Sequence, residues 1–162
     1  MIRRIASIGA LVGAAGLALF GTTRPLSHLS IALTPDEPRK DFITTGWRTD
    51  FAGTVDQHSP LFGVPVAVAV LVIAVALAWP RQTKRLAFAG SALLAGVLGM
   101  LLVYLGNAIR FHREGNLAID PGLQAGFGDG VWFLASALLI AVLGTVLHPT
   151  RARRASPVPR AP

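Results

Sequence analysis

The sequence contains no cysteine, which excludes disulfides in exported loops, thiolate metal sites and thiol catalysis. Lysine occurs only at Lys40 and Lys84, and tyrosine only at Tyr104. Charged residues make up 14% of the 162 positions, well under the roughly 25% usual for soluble domains. Charge is missing altogether between Leu61 and Trp79 and between Leu86 and Leu105. Proton pumps and ion-coupled carriers set ionisable groups inside such runs, so this absence argues against a self-sufficient transporter. No inverted repeat with broken helices is evident either.

What is present is apolar, at 52% of the chain. Two long apolar runs flank the basic break Pro80-Arg81-Gln82-Thr83-Lys84-Arg85. About 20 such residues in a helix cross a hydrocarbon core of roughly 30 Å. The β-branched density of Val64 to Val75 would favour a strand in water. In lipid a lone strand leaves its backbone groups unpaired, so helix is expected. Pro60 and Pro65 fall at the start, where a missing N–H is tolerated. Trp79 suits the headgroup level, and Arg81, Lys84 and Arg85 mark the turn as cytoplasmic.

The expected fold class is all-α membrane, a four-transmembrane-helix bundle with helices at about 5–22, 61–79, 86–107 and 130–147. Residues 1–147 form a single membrane domain with a small extracytoplasmic β-rich segment, 24–59, between the first two helices. Residues 148–162 are basic and Pro-rich, and form a disordered cytoplasmic tail. The first apolar run fits a cleaved signal peptide or an anchor; without an A-x-A site before Thr22, the anchor is favoured. Gly9 and Gly13, with Gly16 nearby, have the spacing of close-packing helix faces. Ala92 with Gly96 and Ala95 with Gly99 do likewise, which predicts a central position for the third helix. Trp132 opens the short last span, and Asp129 is placed to cap it.

In the outer segment Leu29, Ile31 and Leu33 alternate with Ser30, Ala32 and Thr34, the period of a strand. A turn is expected at Thr34-Pro35-Asp36-Glu37-Pro38, then β-formers from Phe42 to Thr49 and from Phe51 to Val55. Two or three short strands follow, forming a sheet small enough to need support from the helices or a partner. The second outer loop carries the turn signal Asp120-Pro121-Gly122. Its glycines Gly126, Gly128 and Gly130 are no phosphate loop, because Lys and Ser/Thr are missing from the required places.

Charge falls by side. The N-terminus, the inner turn and the tail hold Arg3, Arg4, Arg81, Lys84, Arg85, Arg151, Arg153, Arg154 and Arg160 and no acid. Every Asp and Glu falls in the outer regions. Positive-inside orientation thus accounts for the net charge of +7 without a nucleic-acid partner.

Tyr104, Asn107 and Arg110 are spaced by three at the outer end of the third span. With His112 and Glu114 they form the candidate contact set for a ligand or lipid phosphate at the outer headgroup level. The plainer reading is an interface anchor, with Tyr104 among headgroups and Arg110 reaching water. His112-x-Glu114 is half of a metal or deaminase signature with no cysteine beside it. His28, His58 and His112 could meet at a surface zinc site, and Asp50 and Asp56 could pair for acid–base work. No spacing demands either, so no catalytic residue, cofactor or metal is assigned.

The four spans, long first outer loop, basic inner turn and basic tail, with wording such as GDGVWFLASALLIAVLG, resemble small actinobacterial membrane proteins of unknown function. The tryptophan-operon-associated membrane protein family is one such group; Phe20-Gly21-Thr22-Thr23 stands where that family has paired tryptophans. Claudin-like proteins share the layout, and Gly46-Trp47 echoes their motif without their loop cysteines. The resemblance implies a topology and no site residues. The expected protein is a non-enzymatic, multi-pass component of the plasma (inner) membrane with both termini cytoplasmic. It would serve as an accessory or scaffold subunit, with a membrane-protein partner or as a homo-oligomer. The alternatives are a membrane enzyme or lipid-handling protein acting at the outer headgroup level, and a channel-like oligomer.

Overall fold

A computed structural model describes residues 2–32, 38–51, 54–56, 62–79, 82–116 and 122–148. It contains helices α1 (Ile2–Thr23), α2 (Gly63–Ala78), α3 (Thr83–Asn116) and α4 (Asp129–Leu147). Its strands are β1 (Ser27–Ile31), β2 (Lys40–Thr44), β3 (Thr49–Phe51), β4 (Thr54–Asp56) and β5 (Gln124–Phe127). The predicted turns at Thr34–Asp36, Pro80–Arg81 and Asp120–Pro121, as well as His58 and the tail from Pro149, lie outside the described residues.

The helices partition by size, small residues inside and large apolar ones outside. Ala14, Ala18, Ala69, Ala76, Ala87, Ala137 and Ala141 are buried, whereas Leu71, Val103, Leu139 and Val146 are 63%, 65%, 66% and 71% exposed. In water so large an apolar outer surface would drive aggregation. Lipid tails are as apolar as leucine, so small residues go inside, where close backbone approach supplies the attraction. Helices α1, α3 and α4 are each long and apolar enough to cross a membrane. Helix α2 has 16 residues, about 24 Å at 1.5 Å per residue, against a core of roughly 30 Å. Pro65 sits in its first turn, where no intrahelical N–H bond is lost.

The four helices form a ring in which α1 neighbours α4 and α2, and α3 neighbours α2 and α4. The α1–α4 contact is closed at both ends by glycine. A Cβ on Gly21 would lie 3.1 Å from the Gly130 carbonyl, and one on Gly144 would lie 3.1 Å from Ala10 Cβ. In the α2–α3 hairpin, a Cβ on Gly90 would lie 2.6 Å from Ile73 Cγ1. The predicted packing faces are not the ones used: Gly9, Gly13, Gly16, Gly96 and Gly99 all border open space. Helix α3 is therefore not central, and its Ala92, Ala95, Gly96 and Gly99 are exposed. Small residues occur around most of α1, so their spacing alone selects no face; Ser7, Leu11, Ala14, Ala18, Gly21 and Thr22 are the buried ones.

All strand pairings are antiparallel, in the order β4-β3-β2-β1-β5. Four strands come from the first outer segment, one more than the upper expectation, and β5 comes from the loop before α4. Leu29 of β1 faces Phe42 on one side and Ala125 on the other. The sequence QAGF has no β pattern of its own; β1 recruits it by pairing, with the His28 ring against Gly126.

Helix α3 runs past its expected end near residue 107 to Asn116, 34 residues and about 51 Å. It therefore overshoots a core of roughly 30 Å on the side of the sheet. The i,i+4 ion pair between Arg110 and Glu114 supports that overhang. Helix α4 is preceded by Gly128 at the N-cap, and Asp129 is its first residue rather than its cap. Gly128 takes that place because the Pro25 carbonyl leaves no room there for a Cβ. The Asp129 carboxylate still favours the positive end of the helix dipole.

Candidate functional site

The outer ends of the helices are tied to the sheet by backbone. The Gly46 N–H donates to the Thr22 carbonyl at 2.8 Å, and the Gly63 N–H donates to the Gly46 carbonyl at 2.6 Å. One turn residue thereby satisfies an orphan acceptor at the end of α1 and an orphan donor at the start of α2. Beside it the Trp47 indole N–H donates to Thr22 Oγ1 at 2.9 Å, while Thr22 Oγ1 donates to the Leu19 carbonyl at 2.6 Å. Similarly, Gly128 donates to the Leu26 carbonyl and Gly130 to the Pro25 carbonyl, which ties α4 to the chain leaving α1. Arg24 lies over the Phe20 ring, which meets Phe133 edge-on at a centroid distance of 5.1 Å.

Of the predicted outer-interface residues, Tyr104, Asn107, Arg110 and Glu114 share one exposed side of α3 by their spacing along the helix. The Tyr104 ring meets Phe62 at 5.3 Å. It stands about 32 Å along α3 from Thr83, close to the roughly 30 Å thickness of a hydrocarbon core. Glu114 stands a further 15 Å or so along the helix. The Arg110 Nε–H donates to Glu114 Oε1 at 2.7 Å, with both side chains largely exposed. His112 falls on another side of the helix, its ring 5.9 Å from that of Phe111. The five residues thus do not converge on one point.

The other candidates are also apart. His28 lies on β1 and His112 on α3, and among the described residues no three of His, Asp and Glu gather as metal ligands would. The register pairs Asp50 with Val55 and Asp56 with Thr49, so the aspartates do not oppose one another. Asp50 Oδ1 is buried without a hydrogen-bond partner among the described residues.

A polar cluster that charge screening of the spans overlooked lies at the opposite end of the bundle. Ser7 of α1 is fully buried, and its Oγ–H donates to the Gly144 carbonyl at 2.7 Å. That carbonyl lacks its usual partner because the His148 N–H donates to Thr145 instead. Ser7 Oγ is also 3.1 Å from His148 Nδ1. With its single proton used on Gly144, Ser7 must accept from Nδ1–H, so the free ring position of a neutral His148 is Nε2. Burial pushes His148 below its ordinary 6.5, and the cations Arg4 and Lys84 act in the same direction. Ser91 and Thr145 add a second buried polar pair, 3.4 Å apart, each donating back to its own helix at Ala87 and Ala141. The sequence signal was Ser7 and Ser91 standing inside otherwise apolar runs.

No family model matches the chain, and no curated protein is significantly similar to it.

Proposed function

We propose that this is a multi-pass protein of the plasma (inner) membrane, with four membrane-embedded helices, the sheet outside and the Arg4, Lys84 and His148 end in the cytoplasm. We infer a non-catalytic role as an accessory or scaffold subunit that offers its outer sheet to a membrane-protein partner. The observation carrying this reading is the backbone tie of the sheet to the ends of α1, α2 and α4, with Ile43, Trp47 and Phe127 left exposed. A sheet held at three helix ends presents a preordered surface, which lowers the entropic cost of binding. The topology-level likeness to small actinobacterial membrane proteins belongs to the same reading. The outer-headgroup enzyme is the weaker alternative, because Arg110 already pairs with Glu114 and His112 faces elsewhere.

A photo-crosslinking residue at Ile43, in native membranes at native expression, tests the role. Recovery of one specific membrane protein is expected, with none from the same probe at the lipid-facing Leu139. Recovery of monomer and lipid alone from both positions would overturn it.

A further inference from the structure

We propose that the inner end of the bundle, to which α1 brings Arg4 and Ser7, α3 brings Lys84 and the end of α4 brings His148, binds the phosphate of an anionic phospholipid. This rests on the membrane-embedded reading above, and not on the partner role.

Three elements deliver cationic or protonatable groups to one end. Leu11 of α1, Ala87 of α3 and Ala141 of α4 pack in one cluster, and Ser7 bonds His148 just beyond it. Arg4 and Lys84 lie about one helical turn past Ser7 and Ala87 toward the same end. Neither Arg4 nor Lys84 has an ion pair or hydrogen bond among the described residues. The sequence offers no counter-ion at this end, since no Asp or Glu occurs before Asp36, between Asp56 and Glu114, or after Asp129. The other charged groups nearby in sequence, Arg3, Arg81, Arg85 and Arg151, are also basic. Like charges held together at a membrane surface favour an external anion, and a phosphate accepts from a guanidinium, an ammonium and an imidazolium at once. The Ser7 hydrogen bond turns His148 so that Nε2 is the position free to meet it. The rim favours a lipid over free phosphate: Ile2, Ile5, Phe88 and Val146 are all exposed beside this end, giving acyl chains an apolar surface to follow.

The full chain is reconstituted in nanodiscs of phosphatidylcholine with and without phosphatidylglycerol. Imidazole resonances are titrated, and retained lipid is counted by native mass spectrometry. Phosphatidylglycerol is expected to raise the His148 midpoint by more in the wild type than in the Arg4→Gln/Lys84→Gln variant. One phosphatidylglycerol is expected to be retained by the wild type and lost in the Arg4→Gln/Lys84→Gln variant. It should be kept by Arg3→Gln/Arg85→Gln, which removes the same charge from the same side. The exchange Arg4→Lys/Lys84→Arg should retain it and so controls for folding. Equal loss in both glutamine variants, or equal His148 shifts in the wild type and the Arg4→Gln/Lys84→Gln variant, would overturn the site. A His148 shift of the same size from inorganic phosphate in pure phosphatidylcholine would overturn the lipid as its occupant. Failure of the chain to enter nanodiscs at all would instead sink the membrane reading itself.

Discussion

The Trp47 indole ring packs over Gly63 so closely that a Cβ there would lie 2.5 Å from it. The same indole donates to Thr22 at the end of α1. One side chain on the turn between β2 and β3 therefore holds the last turn of α1 and the first turn of α2 together. The sheet is thereby joined to the neighbouring helix ends through one side chain.

Trp47→Phe keeps an aromatic ring over Gly63 but removes the donor to Thr22. Its expected cost is about 1 kcal/mol, the usual net worth of one hydrogen bond. Trp47→Ala also removes the packing, and roughly 3 kcal/mol is expected for truncating a large aromatic side chain. Thermal unfolding in mild detergent measures both. Equal losses from the two variants would show that the ring contact contributes nothing.

The glycines separate by face. A Cβ on Gly130 would sit 2.6 Å from the Gly21 carbonyl, a backbone atom that can yield only if α1 and α4 part. Gly130→Ala should therefore lower stability by about 1–3 kcal/mol, the range for overpacking. Gly13→Ala meets nothing within 4 Å and sits mid-helix. It should be neutral or stabilising by up to about 1 kcal/mol, from helix propensity. Denaturant unfolding in the same detergent compares them, and a loss at Gly13 equal to that at Gly130 would refute the assigned faces.

The lengths of uncharged apolar sequence made the helices legible, because lipid forces any such run to satisfy its own backbone. Strand β1 was legible from alternation at Leu29 and Ile31, and the region of β2 to β4 from the β-formers between Phe42 and Val55, though not its division into three strands. Strand β5 was not, because Gln124 to Phe127 become a strand only through β1. The end of α3 was missed because Arg110, His112 and Glu114 signalled the end of the apolar run, which is not the end of a helix. Packing faces were illegible in α1 because Gly9, Ala10, Gly13, Ala14 and Gly16 surround much of the helix. The five outer site candidates were legible as a local cluster along the chain, but helical phase turns His112 away from the others.

His148 supplies a pH dependence with a definite sign. Its folded-state value lies below 6.5, so folding favours the neutral ring. The stability it contributes is present above 6.5 and is lost as pH falls toward and through the folded-state value, where the unfolded chain binds the extra proton. Thermal midpoints in an uncharged detergent should fall between about pH 7 and about pH 5. The fall should be steeper for the wild type than for His148→Gln, which has no ring to protonate. Parallel curves for the two proteins would show that this histidine carries none of the dependence.

The absence of cysteine allows the orientation to be read directly, because the native chain gives no background thiol. Asp41 lies on β2 and Arg113 on the overhang of α3, both on the sheet side, whereas Arg85 lies near the start of α3 at the other end. The proposed orientation puts Arg85, in the all-basic turn, on the cytoplasmic side, as the positive-inside rule favours. A membrane-impermeant maleimide should then label Asp41→Cys and Arg113→Cys in intact cells, and Arg85→Cys only after permeabilisation. Because Asp41 and Arg113 come from different outer segments that meet at one sheet, both must label together. Labelling of Arg85→Cys from outside, with the other two protected, would invert the molecule. The Arg4, Lys84 and His148 end would then face away from the cytoplasmic leaflet.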